Sequence, residues 1–590
     1  MRFYTTDRFT PISAPTVKRI HPMLISCIAA LMIAACGHGD NPTEAAAAAD
    51  AANTSIAAAD SSSATSKSVT TATGSTTATT PVGSTGSTGV TAAASEIKPA
   101  NATASTIAAS YPNEQKLSAK VPLAATPMPA YLTNSTDAST GSLVVKITDA
   151  IGMGVSSETV LKHAYAKNQP WNADSSLLFL GNSYPGFLLD GKTFKLLRRF
   201  SQPSQALWSN TDPNIMFGVG GDAPALVKAD VRAQGTVTVL RRFDEYTKMD
   251  IGGYEGNLSN DDRYIVLFGK HAAGVDIVAY NIASNQIEGR RSFVGQVAGA
   301  GSNDIDNATI SPLGNFVVVQ FVGSRQGRPP GIDVYDRQMN YLRRVSPAGN
   351  SHYDIGIDAA GNEVLVIKDS QVDTTMYTIR LSDGTRRVEL TKDLVNYPIH
   401  ISCRNIKRPG WCYMSEFAVA NYDQTNATSK ANHQELLAVK LDGSGTVQRF
   451  AQEQHAVVIS EREYERSAMG VPNRDGSMVL WASDWRDASR TASIDTYVAM
   501  AKATAKLVPS MAPARGSSTQ VAVTLSTQIK SNLGVSKVEF FKDSVKLGEV
   551  TKAPHLWTWT GAPGTYQFSI KLTDSLGNSV TAAESVTVQR

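Results

Sequence analysis

The sequence predicts an all-β protein, in which a β-propeller of seven repeated units precedes a second, smaller β domain. Between 140 and 505, short apolar strands rich in β-branched residues alternate with turns built on Asp, Gly, Asn or Pro. Most units are about 50 residues long, and a four-stranded unit repeating at such a spacing is typical of a propeller. Several units also end alike, in Leu197-Arg198-Arg199-Phe200, Leu240-Arg241-Arg242-Phe243 and Leu342-Arg343-Arg344-Val345.

The seven units follow one another without a long break. The sixth is longer than the others because a polar insertion at 421–433 separates two of its strands. A further apolar strand at 141–151 either closes the ring or precedes it. We place the units at 162–200, 205–243, 255–293, 306–345, 352–390, 400–450 and 465–500.

Length and charge narrow the class of protein. A chain of 590 residues has room for two or three domains. Its net charge of +3 is small for this size, and no basic cluster is interleaved with aromatic residues. We therefore expect no nucleic-acid partner.

The N-terminus predicts export. Basic residues precede an apolar run at 23–35, which is typical of a signal peptide and too short for a membrane-spanning helix. The sequence Ile33-Ala34-Ala35-Cys36 resembles the bacterial lipoprotein box. That resemblance implies a signal peptide at 1–36, a lipid on Cys36 that anchors the protein in the membrane and, because Gly37 rather than Asp follows, placement at the outer membrane or cell surface. An ordinary signal peptide with an incidental cysteine is the alternative.

Residues 37–135 are dominated by Ala, Ser, Thr and Gly. Such a segment buries too little apolar surface to offset its conformational entropy, so we expect a disordered tether. A coil of about 100 residues spans roughly 50–60 Å, which would hold the folded part clear of the lipid anchor.

The C-terminal region at 508–590 carries its own strand pattern. Val538-Glu539-Phe540, Trp557-Thr558-Trp559 and Gly564-Thr565-Tyr566 lie in it in that order. The pattern resembles the bacterial immunoglobulin-like domains that are appended to secreted enzymes and adhesins, which implies a β-sandwich. Trp557 and Trp559 are two residues apart and face the same side of a strand. They either pack in the core or form a sugar-stacking platform.

Two units of the repeat carry a recognisable turn. Pro472-Asn473-Arg474-Asp475-Gly476 resembles the Ser-Pro-Asp-Gly signature of the Tol envelope-system propeller, and the blade is also similar to those of the oligogalacturonate lyases. Ser311-Pro312-Leu313-Gly314 is a looser copy. The resemblance is to a type of blade and implies a propeller with a central channel.

The innermost strand of each blade lines that channel, and it is the strand just before the turn. Histidines head three of these strands. Converging histidines and carboxylates bind a divalent metal, or supply a base and a charge-stabilising group for proton abstraction beside a uronate carboxylate. The resemblance to oligogalacturonate lyases implies a channel metal held mainly by histidines. The other interpretation is that these polar residues only solvate a water-filled channel.

We assign candidate roles on that basis. The candidate metal ligands are His163, His352, His400 and Asp306, and the candidate catalytic residues are the same three histidines with Tyr464 and Arg466. The candidate substrate-binding residues are Glu255, Asn257, Arg404 and Arg408, of which the two arginines form the densest basic loop. That loop binds an acidic sugar or phosphate, or is a solvated hairpin tip.

Cys403 and Cys412 flank the arginine loop. Residues at this separation can face each other across a hairpin, so a disulfide is possible, and export favours it over two buried thiols.

Two functions remain open from the sequence. The first is an envelope-anchored lipoprotein that is not catalytic and binds a glycan or an envelope protein. The second is an extracellular polysaccharide lyase that cleaves uronate-containing glycans by metal-assisted β-elimination.

Overall fold

A computed structural model describes residues 105–589. Its gaps are at 119–123, 125, 151, 156–159, 182–183, 221–222, 234–235, 273, 294–304, 323–328, 348, 350–351, 370–372, 396–398, 417–433, 456–466, 487–493 and 515–518. The described residues form strands and turns, with a single 3-10 turn at Gly252–Tyr254. None of them forms a helix that is long and apolar enough to cross a membrane. The predicted signal peptide, Cys36 and the first part of the tether lie outside these residues.

Four short strands precede the repeat. They are β1 (Thr106–Ala108), β2 (Glu114–Lys116), β3 (Asn134–Thr136) and β4 (Leu143–Lys146). β1 and β2 fall inside the segment predicted as a tether, and β3 begins inside it. These strands gain their hydrogen bonds by pairing with strands of later sheets, so the composition of their own residues does not predict them.

The repeat region forms seven successive sheets, which we number 1 to 7. Sheet 1 contains β5 (Leu177–Leu180), β6 (Gly186–Asp190) and β7 (Leu196–Phe200). Sheet 2 contains β8 (Ser204–Trp208), β9 (Ile215–Val219), β10 (Ala225–Asp230) and β11 (Val237–Arg242). Sheet 3 contains β12 (Lys248–Ile251), β13 (Tyr264–His271), β14 (Gly274–Asn281) and β15 (Gln286–Ser292). In sheet 1 the innermost position is held by a single bridge between Trp171 and Leu178.

Sheets 4 to 7 continue the series. Sheet 4 contains β16 (Ile305–Ile310), β17 (Phe316–Phe321), β18 (Gly331–Asp336) and β19 (Tyr341–Ser346), and sheet 5 contains β20 (Tyr353–Ile357), β21 (Glu363–Asp369), β22 (Asp373–Arg380) and β23 (Arg386–Leu390). Sheet 6 contains β24 (Ile399–Ser402), β25 (Trp411–Glu416), β26 (Glu435–Lys440) and β27 (Thr446–Gln452). Sheet 7 contains β28 (Val471–Pro472), β29 (Met478–Ser483) and β30 (Asp495–Met500).

The sheets form a closed ring. Each sheet shares a buried apolar cluster with the next, from sheets 1 and 2 through to sheets 6 and 7. Another cluster joins sheet 7 to sheet 1. The ring is closed by β4, which pairs antiparallel with β30 and completes sheet 7, so the strand predicted at 141–151 closes the ring. The all-β propeller architecture is confirmed, whereas the number of blades stays a prediction.

The meander within each sheet gives the ring two different ends. Strands run in alternate directions, so the connections between sheets lie at the same end as the turns between second and third strands. We call this the long-loop end. The turns between first and second strands lie at the opposite end, which we call the short-turn end.

The short-turn residues recur because they cap their own turns. Backbone N–H groups five residues further on donate to the side chains of Asn172, Ser259, Ser311 and Asn473, over 2.9–3.0 Å. A polar side chain at this position satisfies a backbone donor that the turn would otherwise leave unpaired.

The repeated arginines join neighbouring sheets at the outer rim. In sheets 2 to 5, one arginine of the outer strand donates to a backbone carbonyl in the third turn of the next sheet. The pairs are Arg241 with Asn285 at 3.1 Å, Arg291 with Met339 at 3.5 Å, Arg343 with Leu381, and Arg387 with Leu441 at 2.8 Å. We call these contacts the rim clamps. They explain the shared Arg-Arg endings as a structural feature of the repeat.

The C-terminal domain is a two-sheet sandwich. Its strands are β31 (Thr504–Pro513), β32 (Val521–Lys530), β33 (Val535–Lys542), β34 (Val545–Val550), β35 (Trp557–Gly561), β36 (Gly564–Asp574) and β37 (Ser579–Val588). One sheet has the order β1-β32-β31 with β35 also on β32, and the other has β34-β33-β36-β37. Trp557 and Trp559 pack partly buried against the core between them, as the core-packing interpretation requires.

The N-terminal segment connects both domains at the short-turn end. β1 pairs in parallel with β32 of the sandwich, and β2 adds a fifth strand to sheet 6. The side chain of Asn532 joins the sandwich to this segment and to a short turn of sheet 7. It accepts from the Ser110 N–H at 2.7 Å and donates to the carbonyls of Ser110 and Ser477 at 2.7 and 3.1 Å.

Candidate functional site

Polar side chains from five sheets gather at the long-loop end of the ring axis. The inner strands all start at this end, so their leading residues converge. The group consists of His163, Tyr165 and Lys167 from sheet 1, Glu255 from sheet 3, Asp306 and Asn307 from sheet 4, His352 and Tyr353 from sheet 5, and His400 from sheet 6. We call it the axial cluster.

Two predicted histidines are in direct contact. The rings of His352 and His400 stack with centroids 4.5 Å apart and planes 17° from parallel. Tyr165 meets His400 edge-on at 5.7 Å. The Nδ1 atom of His352 lies 3.0 Å from the Ile399 carbonyl, which fixes the ring on the inner strand of the next sheet.

The histidines of the axial cluster are neutral at physiological pH. Burial lowers the pKa of His163 to about 3, and the ammonium of Lys162 acts in the same direction. Burial also lowers the pKa of His400 well below its ordinary value, with His352 the next largest cause. The pKa of His352 is lowered by burial as well. Neutral imidazoles offer both a hydrogen-bond donor and an acceptor.

A lysine organises the acidic side of the cluster. The Lys167 Nζ lies 2.6 Å from Glu255 Oε2 and 4.0 Å above the ring of Tyr353. The Asn307 amide donates to Glu255 at 3.1 Å and to Asp306 at 3.3 Å. Burial, and then the charge of Glu255, raises the pKa of Asp306 to about 7.

Tyr353 completes this side as a donor. Its hydroxyl donates to Asn307 Oδ1 at 2.5 Å. Burial raises the pKa of Tyr353 well above its ordinary value, with Glu255 and Asp306 acting in the same direction. The phenol therefore stays protonated and orients the amide that holds both carboxylates.

The predicted metal ligands do not converge on one point. The Nε2 atom of His163 lies 2.8 Å from the Met469 carbonyl, and His400 stacks on His352 through its ring face. Among the described residues, no group of three or more His, Cys, Asp or Glu side chains could hold a metal ion. These residues therefore do not fit the histidine-held metal that the resemblance implied, and no step is assigned to a metal.

The two predicted substrate-binding arginines make internal contacts. Arg404 is buried and pairs with Asp354 of sheet 5 through two nitrogens, at 2.8 and 3.0 Å. Arg408 lies over the rings of Tyr111 and Trp411, at 4.3 and 4.2 Å. Cys403 and Cys412 are joined by a disulfide between β24 and β25. This hairpin therefore connects sheets 5 and 6 and holds the N-terminal segment.

The short-turn end of the axis is closed by a buried arginine. The guanidinium of Arg474 donates to the carbonyls of Trp171 and Ser209, both at 3.2 Å, and to the Asn210 side chain. Lys407 closes the same end with a 2.7 Å bond to the Ala173 carbonyl.

The remaining predictions divide between described and undescribed residues. Asn257 is buried in sheet 3, where its backbone N–H donates to Thr309 Oγ1 at 3.0 Å. This bond is to a residue outside the axial cluster. Tyr464 and Arg466 lie outside the described residues. Sequence reasoning missed Lys167 and Tyr353. Period-two alternation would have found Lys167, because it continues the face of His163 and Tyr165.

Comparison with known proteins gives similarity at the level of domains. No curated protein matches the sequence. An oligogalacturonate lyase from Vibrio parahaemolyticus matches with 12% identity and a TM-score of 0.42, over 65% of this chain and 98% of that one. TolB from Acinetobacter baumannii matches with 15% identity and a TM-score of 0.26, over 48% and 62%. At these scores neither structure bears on function.

The C-terminal domain gives the match to a known family. Its sandwich of two sheets surrounds one apolar core. Residues 508–570 match the family of the bacterial Ig domain.

Proposed function

We propose that this protein is a binding module of the bacterial cell envelope, and that it takes a glycan or an envelope protein at the long-loop end of its ring. The observation that carries the proposal is the axial cluster, in which donors, acceptors and aromatic faces from five sheets meet at the long-loop end of the ring axis.

The composition of the cluster suits an uncharged polar ligand. Lys167 is already neutralised by Glu255, and the stacked imidazoles are neutral. The Tyr165 ring adds a partly exposed aromatic face. Sugar hydroxyls and peptide amides both bind through such combinations of donors, acceptors and aromatic faces.

The position of the Ig domain supports the same assignment. It contacts the ring at the short-turn end through Asn532, and the N-terminal segment leaves beside it through β1. With a lipid on Cys36, the anchor would lie on the Ig side. The predicted flexible tether would leave the long-loop end free to turn toward a glycan or an envelope protein.

A lyase is the second candidate, because the imidazoles of His352 and His400 are unprotonated and lie in contact beside Glu255 and Asp306 at the axis. The reaction would be β-elimination beside a uronate carboxylate. It predicts a rise in the absorbance of unsaturated uronate when the full chain is incubated with polyuronates.

The test is titration of the full chain against a panel of defined polysaccharides and purified envelope proteins. We expect Lys167→Gln and Tyr165→Leu each to weaken binding by at least about tenfold, the equivalent of 1.4 kcal/mol. Lys506→Gln, an exposed change in the Ig domain, is the matched control and should bind like the natural chain. Binding that survives both changes in a folded protein would overturn the proposal.

A further inference from the structure

A second polar cluster lies away from the axis, at the ends of three neighbouring strands of sheet 6. Glu416 ends β25, Glu435 begins β26 and Glu453 follows β27. Adjacent antiparallel strands bring these ends together, and the three carboxyl groups are at most 1% exposed. We call them the carboxyl trio.

The trio holds the strand ends through backbone groups. The Glu416 N–H donates to Glu453 Oε1 at 2.6 Å, and the Gln434 N–H donates to Glu416 Oε2 at 2.5 Å. The Glu453 N–H returns to the Gln434 carbonyl at 2.8 Å. Two strand ends are therefore fixed by a glutamate side chain of another strand, and the third by a backbone carbonyl.

Among the described residues, two oxygens of the trio have no hydrogen-bond partner. They are Glu435 Oε1 and Glu453 Oε2, and both are buried. An ionised oxygen in this position would cost several kcal/mol, whereas a protonated one avoids most of that cost. The geometry itself thus favours a retained proton.

Charged side chains of both signs surround the trio. Arg449 pairs with Glu435, and Arg486 lies near Asp137 on the neighbouring N-terminal segment. His455 and Asp484 face each other at 3.6 Å on the side of sheet 7. In the part of the chain that the structure describes, the titratable and charged groups packed around the trio are Asp137, Arg449, His455, Asp484 and Arg486.

We propose that the carboxyl trio is a proton-operated switch, which holds the strand ends of sheet 6 together in mildly acidic solution and loosens them in alkaline solution. It does not depend on the proposed binding function.

The direction of the switch follows from the protons that each state holds. Burial raises the pKa of Glu435 from 4.5 to about 7, and burial and Glu416 raise that of Glu453 well above 4.5. Between these values the folded protein keeps protons that the unfolded chain has lost. The stability that these two carboxyl groups contribute is therefore highest below about pH 4.5. It falls as the pH rises through the folded pKa values, by up to about tenfold in the folding equilibrium per pH unit and per proton.

The switch lies next to the axial cluster. In the register of sheet 6, Ile399 pairs with Glu416 and His400 pairs with Ser415. Loosening of the Glu416 end therefore reaches the inner strand that carries His400. If the long-loop end binds a ligand as proposed, its affinity should fall over the same alkaline range.

The test is hydrogen exchange of the full chain between about pH 5.5 and about pH 8.5, corrected for the intrinsic pH dependence of exchange. We expect the Glu416 and Gln434 amides to lose protection by about tenfold or more across this range, because both donate to the trio. Glu453→Gln mimics the protonated side chain and should keep these amides protected at alkaline pH. Glu539→Gln in the Ig domain, whose carboxylate pairs with exposed Lys546, is the matched control.

Flat protection of both amides in the natural chain would overturn the switch, and so would the same alkaline loss in Glu453→Gln. The profile of the natural chain gives this answer even where a variant fails to fold. Failure of the panel titration with intact pH-dependent protection would instead remove the binding function and leave the switch.

Discussion

The outer rim and the axis of the ring both concentrate charged and aromatic residues, but they use them differently. At the rim, an outer-strand arginine makes the same kind of contact to the next sheet in sheets 2 to 5. At the axis, no residue type recurs in all five contributing sheets: sheet 1 contributes Lys167, sheet 3 Glu255 and sheet 6 His400. A residue that recurs at the rim stabilises a contact that several pairs of sheets share. Residues that differ between sheets form a site that occurs once in the ring.

This difference explains why the most conspicuous pattern in the sequence was not the site. The repeated arginines donate to backbone carbonyls and hold sheets together, whereas the axial residues interact mainly with one another. We expect rim variants to alter stability without altering binding. We expect axial variants that keep the fold to alter binding.

The largest effect should come from the buried pair that joins the inner strands of sheets 5 and 6. Arg404→Ala leaves the Asp354 carboxylate buried without its bidentate partner, which we expect to lower the free energy of unfolding by about 3–5 kcal/mol. Urea unfolding of the full chain measures it. The double variant Arg404→Met with Asp354→Asn removes both charges, keeps an acceptor for the buried Cys403 N–H and should recover most of that loss. A loss below about 1 kcal/mol for Arg404→Ala would show that solvent reaches the pair.

A smaller effect should follow from removing one hydroxyl at the axis. Tyr353→Phe keeps the ring below Lys167 but leaves Asn307 Oδ1 without its donor, which we expect to cost about 1–3 kcal/mol and to weaken ligand binding. Tyr264→Phe, in a buried ring whose contacts are to arginines, is the control and should change neither quantity. Equal effects of the two variants would mean that the hydrogen bond from Tyr353 to Asn307 contributes neither to stability nor to binding.

The architecture was predictable from the sequence because it depends on local patterns. Strand alternation and the turn caps at Asn172, Ser259 and Asn473 repeat along the chain, and each is visible within a few residues. The N-terminal strands were not predictable, because β2 and β3 are three residues each and exist only through pairing with sheets 6 and 7.

The site was predictable only in part, for the same reason. The heads of the inner strands identified the axial histidines, Glu255 and Asp306, since their place follows from the repeat. Their partners did not follow from it: the stack of His352 on His400 and the Asn307 amide between two carboxylates depend on how neighbouring sheets pack. Likewise, nothing in the sequence around Arg404, in the loop after β24, predicts its pairing with Asp354.

The smallest effect separates the two arginines of one rim ending. Arg241 donates to the Asn285 carbonyl and lies over the rings of Phe243 and Tyr280, whereas the exposed Arg242 side chain has no described hydrogen bond or ion pair. We expect Arg241→Ala to cost about 1 kcal/mol and Arg242→Ala to cost almost nothing, measured by urea unfolding. Neither should change binding at the long-loop end. If Arg242→Ala proved the costlier change, the rim clamps would not explain why the ending recurs. Arg241→Ala combined with Arg343→Ala should then show whether the clamps add, since the two lie in sheets that do not adjoin and should act independently.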